Sequence, residues 1–373
     1  PFWETWGHDD GVAALNWLNE RLIPTRGHNL IWPNWGNMPG GSEALGAAAL
    51  RTRIDTHFTQ ILNETRGELF EWDVINEPYS SFDVMGRIPG VTGVPPSAGR
   101  LGNAEMLRWF QNARAIDPTI GLFVNDYNVL EGVDPNHRTY TRAVVSYLLQ
   151  NGAPIDGLGL QGHFGNAIIG IPDLESRLAL LTALPVRLAI TEFDVDTLDE
   201  ALQARYTADF LTLIFSRPEF DSFMTWGFWE GAHWLPNAAM YRLNWQPKPN
   251  AVAWQNLTRN VWHTEAAGGT DATGTFTRRA FYGDYRIRAS RPDGVPVDAT
   301  FTHTLGSGGT VVIQIAATAC RGDADCDGDT DSDDIVTFFT AWDQGSNAAD
   351  TDVDGDTDSD DVAVFFAAWE MGC

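Results

Sequence analysis

Two glutamates, Glu77 and Glu192, have the residue type and the position that acid and base chemistry requires. Glu77 follows the largely apolar run LFEWDVIN at 69–76, and Glu192 ends the run VRLAITE at 186–192. Hydrolysis of a glycosidic bond uses two carboxyls, one protonated to release the leaving oxygen and one ionised to attack or to position water. Partial burial and mutual repulsion separate the pKa values of two carboxyls in one cleft. The pair therefore predicts a glycosidase-type site.

The residues beside each glutamate favour different roles for the two. Asn76 precedes Glu77 and offers an amide that can hydrogen bond a sugar hydroxyl, whereas Glu192 lies two residues before Asp194. A contact between His163 and Glu192 would hold that carboxyl ionised, because an opposite charge favours the charged form. We therefore expect Glu77 to be the acid and Glu192 the nucleophile.

Six predicted strands would carry these side chains to one rim of an α/β body. Apolar runs alternate with amphipathic helical patterns, as in βα units around a parallel sheet. The runs are 26–32, 69–76, 120–125, 155–161, 186–192 and 221–227. Polar or aromatic residues lie at or near their ends: His28, Asn76, Glu77, Asn125, Asp126, Gln161, His163, Glu192, Asp194 and Trp226. Any one of them could be a satisfied polar group at a strand end, but six strands together favour an active rim like that of a (β/α)₈ barrel.

Composition bounds the class of protein and its partners. The chain has 373 residues, 43% of them hydrophobic, and a net charge of −26. This length predicts two or three domains, and no apolar run is long enough for a membrane span. Such an acidic chain is unsuited to phosphate backbones or anionic lipid. We expect a monomer that binds no nucleic acid.

Charge and texture divide the chain into three predicted domains, at 1–262, 263–319 and 320–373. Residues 321–373 contain 16 acidic residues and one basic residue. Residues 264–319 combine turn signals with strand patterns in DATGTF, FYGDYRIRA, PDGVPV and GTVVIQIA, which predicts a small β module. We expect this module to be a packing or spacer domain. Carbohydrate binding through Phe281, Tyr282 and Tyr285 is the alternative.

Six ordered motifs in the first domain resemble glycoside hydrolase family 10, the endo-1,4-β-xylanases. They are GHNLIW at 27–32, WDVINEP at 72–78, NDYN at 125–128, GLQGHF at 159–164, ITEFDV at 190–195 and TWGFWEGAHW at 225–234. The resemblance covers about residues 1–262. It implies a retaining mechanism, without a cofactor, in which Glu77 is the acid/base, Glu192 forms the glycosyl-enzyme, and the carboxyls lie about 5–5.5 Å apart.

The same resemblance implies roles for nine further residues. The residues that would grip the sugar beside the cleaved bond are His28, Trp32, Asn76, Gln161 and His163, with Trp226 and Trp234 as hydrophobic walls. Asp194 would hold His163. Tyr127 looks like a stacking platform on the leaving-group side, and a buried structural tyrosine is the alternative. The 15 tryptophans suit a sugar substrate, since flat aromatic rings pair with apolar sugar faces.

Departures from the family pattern lead to two expectations. The family has two strands and a helix before the GHNLIW motif, so we expect a TIM barrel that lacks its first two strands, a fragment unstable or poorly active alone. Pro33 and Glu230 replace the His and Asp of many members, and the stretch after Trp229 is most similar to plant-like members. Substrate detail is therefore open between xylan and a β-glucan.

The acidic tail contains a calcium-loop pattern twice, 27 residues apart. The predicted ligands are Asp323, Asp325, Asp327, Asp329, Asp331 and Asp334 in the first copy, and Asp350, Asp352, Asp354, Asp356, Asp358 and Asp361 in the second. Alternating oxygen ligands with Gly at the sixth position can wrap Ca²⁺. An aromatic stripe at helical spacing follows each loop, which predicts one helix per loop. A disordered acidic linker is the alternative.

The tail resembles a dockerin type I module. The resemblance implies two structural Ca²⁺ ions and docking onto a cohesin-type scaffold or surface protein. Cys320 and Cys373 flank the repeats and could form a disulfide, although Cys326 pairing with either is also open. We thus expect a secreted or surface-attached xylanase. The alternatives are a β-glucanase of a related barrel family and a non-catalytic adhesion or scaffold protein.

Overall fold

A computed structural model describes residues 8–88, 103–165, 168–290, 297–304, 310–313, 321–325, 327, 329–352 and 354–372. The chain divides into two compact units, Pro1–Val261 and Trp262–Cys373, which are described separately below. The three cysteines and Gly328 lie outside the described residues, so the predicted disulfide stays a prediction. The three-domain division also stays a prediction.

The first unit is built on a curled parallel sheet, a half-barrel of the TIM type. Its strands are β1 (Arg26–Ile31), β2 (Glu71–Asn76), β3 (Gly121–Asp126), β4 (Gly157–Leu160), β5 (His163–Phe164), β6 (Arg187–Val195) and β7 (Phe220–Thr225). Their order is β1-β2-β3-β4-β6-β7, and β5 pairs with the end of β6. The six predicted strands are confirmed, and the two-residue β5 is an addition to them.

The described sheet is an open arc rather than a closed ring. Within the described residues, β1 pairs with β2 alone and β7 pairs with β6 alone. All pairings are parallel, so the carboxyl ends of the strands meet at one edge. This edge is where the predicted site residues lie.

Helices cover the sheet and follow most strands. They are α1 (His8–Asn19), α2 (Ala47–Glu64), α3 (Asp83–Arg87), α4 (Asn103–Ile116), α5 (Pro135–Gln150), α6 (Ile171–Leu181), α7 (Glu200–Phe215) and α8 (Pro249–Asn256). Two of these helices have an aspartate N-cap. The Asp134 side chain accepts a hydrogen bond from the backbone N–H of Asn136 in α5, and the Asp199 side chain accepts one from the backbone N–H of Leu202 in α7. Among the helices of the described ranges, none has the length and hydropathy needed to span a membrane.

Buried side chains pack against both faces of the sheet and hold the strands in place. Every residue of β2 and β3 is buried, and α2 contributes Leu50, Ile54 and Phe58 from one helical face. Each such side chain stabilises the fold by about 1.5–3 kcal/mol when it is fully buried. Gly27 in β1 is required by this packing, because a Cβ there would lie 2.1 Å from the Trp72 ring.

The second unit contains a hairpin and a helical pair. The antiparallel hairpin joins β8 (Gly283–Ala289) to β9 (Val297–His303). The DATGTF segment forms a turn and not a strand, because the Asp271 carboxylate accepts from the backbone N–H groups of Thr273 and Thr275. The helices are α9 (Ser332–Asp343) and α10 (Ser359–Met371), one after each acidic loop as predicted.

The helical pair is a structural repeat with reciprocal contacts. Phe338 of α9 stacks on its counterpart Phe365 of α10 at 4.1 Å between ring centroids. Trp369 Nε1 donates to the Asp331 carbonyl at 2.8 Å, and its counterpart Trp342 donates to the Asp358 carbonyl at 3.3 Å. The same contacts are therefore made in both directions, as expected for a two-fold arrangement of the repeats.

Candidate active site

Glu77 lies directly after β2, where the chain turns out of the sheet. Its φ of 54° is left-handed, and its backbone N–H donates to the Asn125 carbonyl at 2.8 Å. Glu77 Oε1 accepts from Gln161 Nε2 at 3.0 Å and from Asn76 Nδ2 at 3.4 Å. Burial raises the pKa of Glu77 to about 7, opposed by the Gln161 hydrogen bond and aided by the negative charges of Asp126 and Glu192. A carboxyl with this pKa can supply a proton at neutral pH.

Glu192 lies within β6 and is 4% exposed. Its two oxygens have different partners: Asn125 Nδ2 donates to Oε1 at 2.7 Å, and His163 Nε2 lies 3.2 Å from Oε2. His28 Nδ1 lies 3.9 Å from Oε1. The Asn125 amide and the His163 ring therefore hold one Glu192 oxygen each.

Three amides link the two glutamates into one network. Asn125 Nδ2 donates to Asn76 Oδ1 at 3.0 Å as well as to Glu192, and Gln161 Nε2 lies 3.3 Å from the same Asn76 oxygen. Gln161 in turn donates to Glu77. The two carboxyls, 115 positions apart in the chain, therefore belong to a single hydrogen-bonded cluster.

His163 connects Glu192 to Asp194. His163 Nδ1 lies 3.0 Å from Asp194 Oδ2, and Trp234 Nε1 donates to that same oxygen at 2.8 Å. Burial opposes charging of the ring, but the hydrogen bonds to Asp194 and Glu192 outweigh it and raise the pKa of His163 to about 10. His163 is therefore cationic at neutral pH and neutralises charge at the site.

His28 contacts a buried ion pair formed by Arg26 and Asp73. His28 Nδ1 lies 3.0 Å from Asp73 Oδ2, and Arg26 donates to Asp73 Oδ1 at 2.8 Å and to Glu71 at 2.6 Å. Burial opposes ionisation of Asp73, yet the charge of Arg26 and the contact with His28 lower its pKa. The rigid Arg26–Asp73 pair thus orients the His28 ring.

Four aromatic residues predicted at the site have different surroundings. Trp226 meets His28 edge-on at 5.2 Å, and Trp234 meets His163 edge-on at 5.1 Å; both indoles are exposed on one side. Trp32 Nε1 donates to Ser81 Oγ at 3.0 Å. Tyr127 is half-buried and packs edge-on against the buried His137 ring at 4.9 Å, and its stacking role on the leaving-group side stays a prediction.

Several residues of the cluster were absent from the predicted site. The sequence predicts Asn125 and Asp126 only as strand-end residues and predicts no role for Arg26, Asp73 or His137. Asp126 is buried, 3.0 Å from His137 Nε2 and 3.1 Å from Thr141 Oγ1. The signal that could have found Arg26, Asp73 and Asp126 is an ionisable residue inside an otherwise apolar strand, since such a group needs a buried partner.

The acidic loops of the second unit bring carboxylates together in repeated groups. Four groups offer three oxygens within 4.8 Å of one another: Asp323, Asp325, Asp334; Asp329, Asp331, Asp334; Asp350, Asp352, Asp361; and Asp356, Asp358, Asp361. Asp334 and Asp361 are 1% exposed and are shared by both groups of their loop. Asp327 and Asp354, also predicted as ligands, belong to none of these groups among the described residues. All-oxygen groups of this kind suit Ca²⁺.

Curated relatives include proteins of two kinds. The chain is 30% identical over 303 residues to the anti-sigma-I factor RsgI6 of Acetivibrio thermocellus, covering 81% of this chain and 37% of that protein. It is 27% identical over 298 residues to endo-1,4-beta-xylanase 1 of Arabidopsis thaliana, covering 79% of this chain and 30% of that protein. The chain thus spans about a third of the length of these relatives.

Solved structures share the fold, and a family model covers most of the first unit. Xylanase 10B from Thermotoga petrophila, in complex with xylobiose, superposes with a TM-score of 0.58 at 21% identity, covering 69% of this chain and 80% of that one. Xyn10A from Cellvibrio japonicus gives 0.56 at 23% identity, covering 66% and 81%. The model for "Glycosyl hydrolase family 10" matches residues 4–256. On this match the chain belongs to glycosyl hydrolase family 10.

Proposed function

We propose that the chain is a retaining endo-1,4-β-xylanase that cleaves internal bonds of xylan. The observation that carries the proposal is the pair of linked but unlike carboxyls. Glu77 has a pKa of about 7 and a half-buried side chain, whereas Glu192 is buried against Asn125 and the cationic His163. A proton donor and an ionised nucleophile in one cluster are what double displacement at an anomeric carbon requires.

The two steps follow from these positions. In the first, Glu77 gives its proton to the glycosidic oxygen as the C–O bond breaks, while a Glu192 oxygen bonds to the anomeric carbon. In the second, the ionised Glu77 takes a proton from water, whose oxygen attacks that carbon and releases Glu192 as a carboxylate. Asn125 is a positioning residue, because its amide donates to Glu192 Oε1 and fixes the orientation of that carboxylate.

The substrate assignment rests on the names of similar proteins and on the lining of the site. Relatives named endo-1,4-beta-xylanase, and a solved structure of a similar protein in complex with xylobiose, favour xylan. We propose that His28, Trp32, Asn76, Gln161 and His163 bind the sugar beside the cleaved bond. Trp226 and Trp234 would be its walls, and Tyr127 a contact on the leaving-group side.

Two other functions are open to direct test. A β-glucanase would use the same carboxyls with a different sugar. A non-catalytic binding role is favoured by one observation, the 30% identity to a protein named as an anti-sigma factor. Release of reducing ends from xylan and from carboxymethyl-cellulose separates the three. Cleavage of xylan alone would support the proposal, and cleavage of carboxymethyl-cellulose alone would support the glucanase. Cleavage of neither polymer would support the binding role.

Variants of the glutamates test the mechanism. Glu192→Ala should abolish cleavage of every substrate. Glu77→Ala should lose activity on xylan but keep most of the first step on an aryl xyloside with an acidic phenol, because such a leaving group needs no proton. Glu175→Gln, an exposed carboxyl paired with Arg217, is the control that should behave as wild type. Full activity of Glu192→Ala on xylan would contradict the mechanism.

For the tail we propose two structural Ca²⁺ ions and attachment to a cohesin-type scaffold or surface protein outside the cell. The paired aspartate groups and their 27-residue repeat support ion binding. Calorimetric titration of Ca²⁺ into the chain, after a chelator has removed bound ions, should show two sites per chain. Asp361→Asn should remove one of them. A cohesin domain captured only with Ca²⁺ present would support docking, and equal capture in a chelator would contradict it.

A further inference from the structure

A stacked pair of tryptophans lies on the segment that follows β7, outside the residues assigned to the sugar beside the cleaved bond. The rings of Trp229 and Trp245 are parallel within 8°, with centroids 5.3 Å apart. Gly231 packs close to the Trp229 ring, since a Cβ there would lie 2.3 Å from it, and Trp229 Nε1 donates to the Leu243 carbonyl at 3.3 Å. Trp229 is thus held in place and packs against one face of the Trp245 ring.

Trp245 is held in an exposed position at a conformational cost. Its φ of 66° is left-handed, which is a genuine outlier for a bulky side chain. A tight turn maintains it: the Trp245 N–H donates to the Arg242 carbonyl at 2.8 Å, and the Arg242 N–H donates to the Gln246 carbonyl at 2.9 Å. Yet 58% of the Trp245 surface faces solvent. Strain of this kind at an exposed aromatic residue points to a binding role, since core packing does not require it.

We propose that the outer face of Trp245 is a second binding platform for the xylan main chain, beyond the catalytic cleft. The proposal rests on the proposed function for its choice of polysaccharide. A pyranose ring has a flat C–H face rimmed by hydroxyls, and this site offers one rigid indole between two exposed amides, Asn244 and Gln246. Phe228, 51% exposed and 6.2 Å from Trp245, extends the apolar surface.

Continuity with the active rim favours a long polymer as the occupant. The platform belongs to the same segment as Trp226 and Trp234, which contact His28 and His163 of the catalytic cluster. A chain bound in the cleft and continuing over this segment would gain a second attachment point. Two sites on one polymer raise the effective concentration of each for the other.

The test uses the full chain carrying Glu77→Gln, so that xylan is not digested, and measures depletion onto insoluble xylan. Trp245→Asn removes the ring but suits the left-handed backbone, so its Tm should stay equal or rise. Its affinity for xylan should fall about tenfold, equivalent to ~1.4 kcal/mol. Trp245→Tyr should keep part of the affinity, and Trp17→Ala, a 52% exposed tryptophan on α1, should keep all of it.

Other results would overturn the platform. Unchanged xylan binding by Trp245→Asn, or a fall in its Tm with no loss of binding, would make Trp245 structural. A change in oligomeric state by sedimentation would identify a second copy of the chain as the occupant. Cleavage of xylotriose by the wild-type chain is measured in parallel, so that failure of the platform and failure of the xylanase proposal are distinguished.

Discussion

The alkaline limit of activity should move in opposite directions when two neighbours of Glu77 are changed. In the proposed mechanism the acid form of Glu77 donates the proton, so kcat/KM should fall as pH rises through its pKa of about 7. Gln161 favours the charged form by donating to Glu77 Oε1 at 3.0 Å, whereas the negative charge of Asp126 disfavours it. Removing the first should raise the limit, and removing the second should lower it.

The size of the Gln161 effect follows from one hydrogen bond to a carboxylate. Such a bond contributes about 1.5–3 kcal/mol, and one pKa unit corresponds to about 1.36 kcal/mol. Gln161 Nε2 is shared with Asn76 Oδ1, and water can replace part of the bond because Glu77 is only half-buried. For Gln161→Leu we therefore expect an upward shift of about one pH unit. The maximal rate should also fall, since an amide near the sugar is lost.

Asp126→Asn is a nearly isosteric change that should shift the alkaline limit in the opposite direction. The Asn side chain can retain contacts with His137 and Thr141, while the negative charge near Glu77 disappears. The pKa of Glu77 should then fall, and the alkaline limit should move to lower pH by a few tenths of a unit or more. Asp209→Asn, an exposed residue on α7, removes the same charge far from the cluster and should shift nothing.

The assay is kcat/KM on a soluble xylo-oligosaccharide from pH 5 to 9 for wild type and the three variants. The alkaline limit should lie at a higher pH than that of wild type for Gln161→Leu, at a lower pH for Asp126→Asn and at the same pH for Asp209→Asn. Shifts of the same sign in the first two variants would refute the assignment of the limit to Glu77. Thermal unfolding at each pH excludes loss of folded protein as the cause.

Three further predictions concern stability. The pKa of His163 is raised from 6.5 to about 10, so its stabilisation is complete below pH 6.5 and is lost as pH rises towards 10; the Tm of His163→Gln should decline less over this range than that of wild type. Chelation should unfold the tail, seen as a change in tryptophan fluorescence that Ca²⁺ reverses, because without the ion the carboxylates repel one another: the negative charges of Asp327 and Asp331 raise the pKa of Asp329. Phe365→Ala should destabilise the helical pair by about 3–5 kcal/mol in denaturant titration, whereas the 66% exposed Val336→Ala should cost less than about 0.5 kcal/mol.

The strands were predictable because each is a short apolar run with a polar end. The run at 69–76 ends in Asn76, and β2 ends there too, so the apolar run and its polar end were enough to predict the turn that carries Glu77. β5 could not be found in this way, since His163 and Phe164 form a strand only by pairing with Asp194 and Val195 of β6. Two residues carry no periodicity.

The network between the glutamates depends on register, which the sequence does not encode locally. Asn76 and Asn125 are 49 positions apart, and they meet because β2 and β3 pair in the register that aligns them. The Arg26–Asp73 pair depends in the same way on β1 and β2. Residue type and strand ends alone are enough to predict the two glutamates as a pair, whereas the residues that contact them are found only once the neighbouring strand is placed.

The difference between the two carboxyls follows from where their strands end. β2 stops at Asn76, so Glu77 turns out of the sheet with a φ of 54° and has an amide as its hydrogen-bonding partner. β6 continues past Glu192 to Val195, which brings Asp194 beside His163 in β5. Asp194 keeps that imidazole charged, and the imidazole contacts Glu192. The three residues by which β6 extends past Glu192 therefore supply a cation to that glutamate and not to Glu77, and the proposed roles of proton donor and nucleophile rest on this asymmetry.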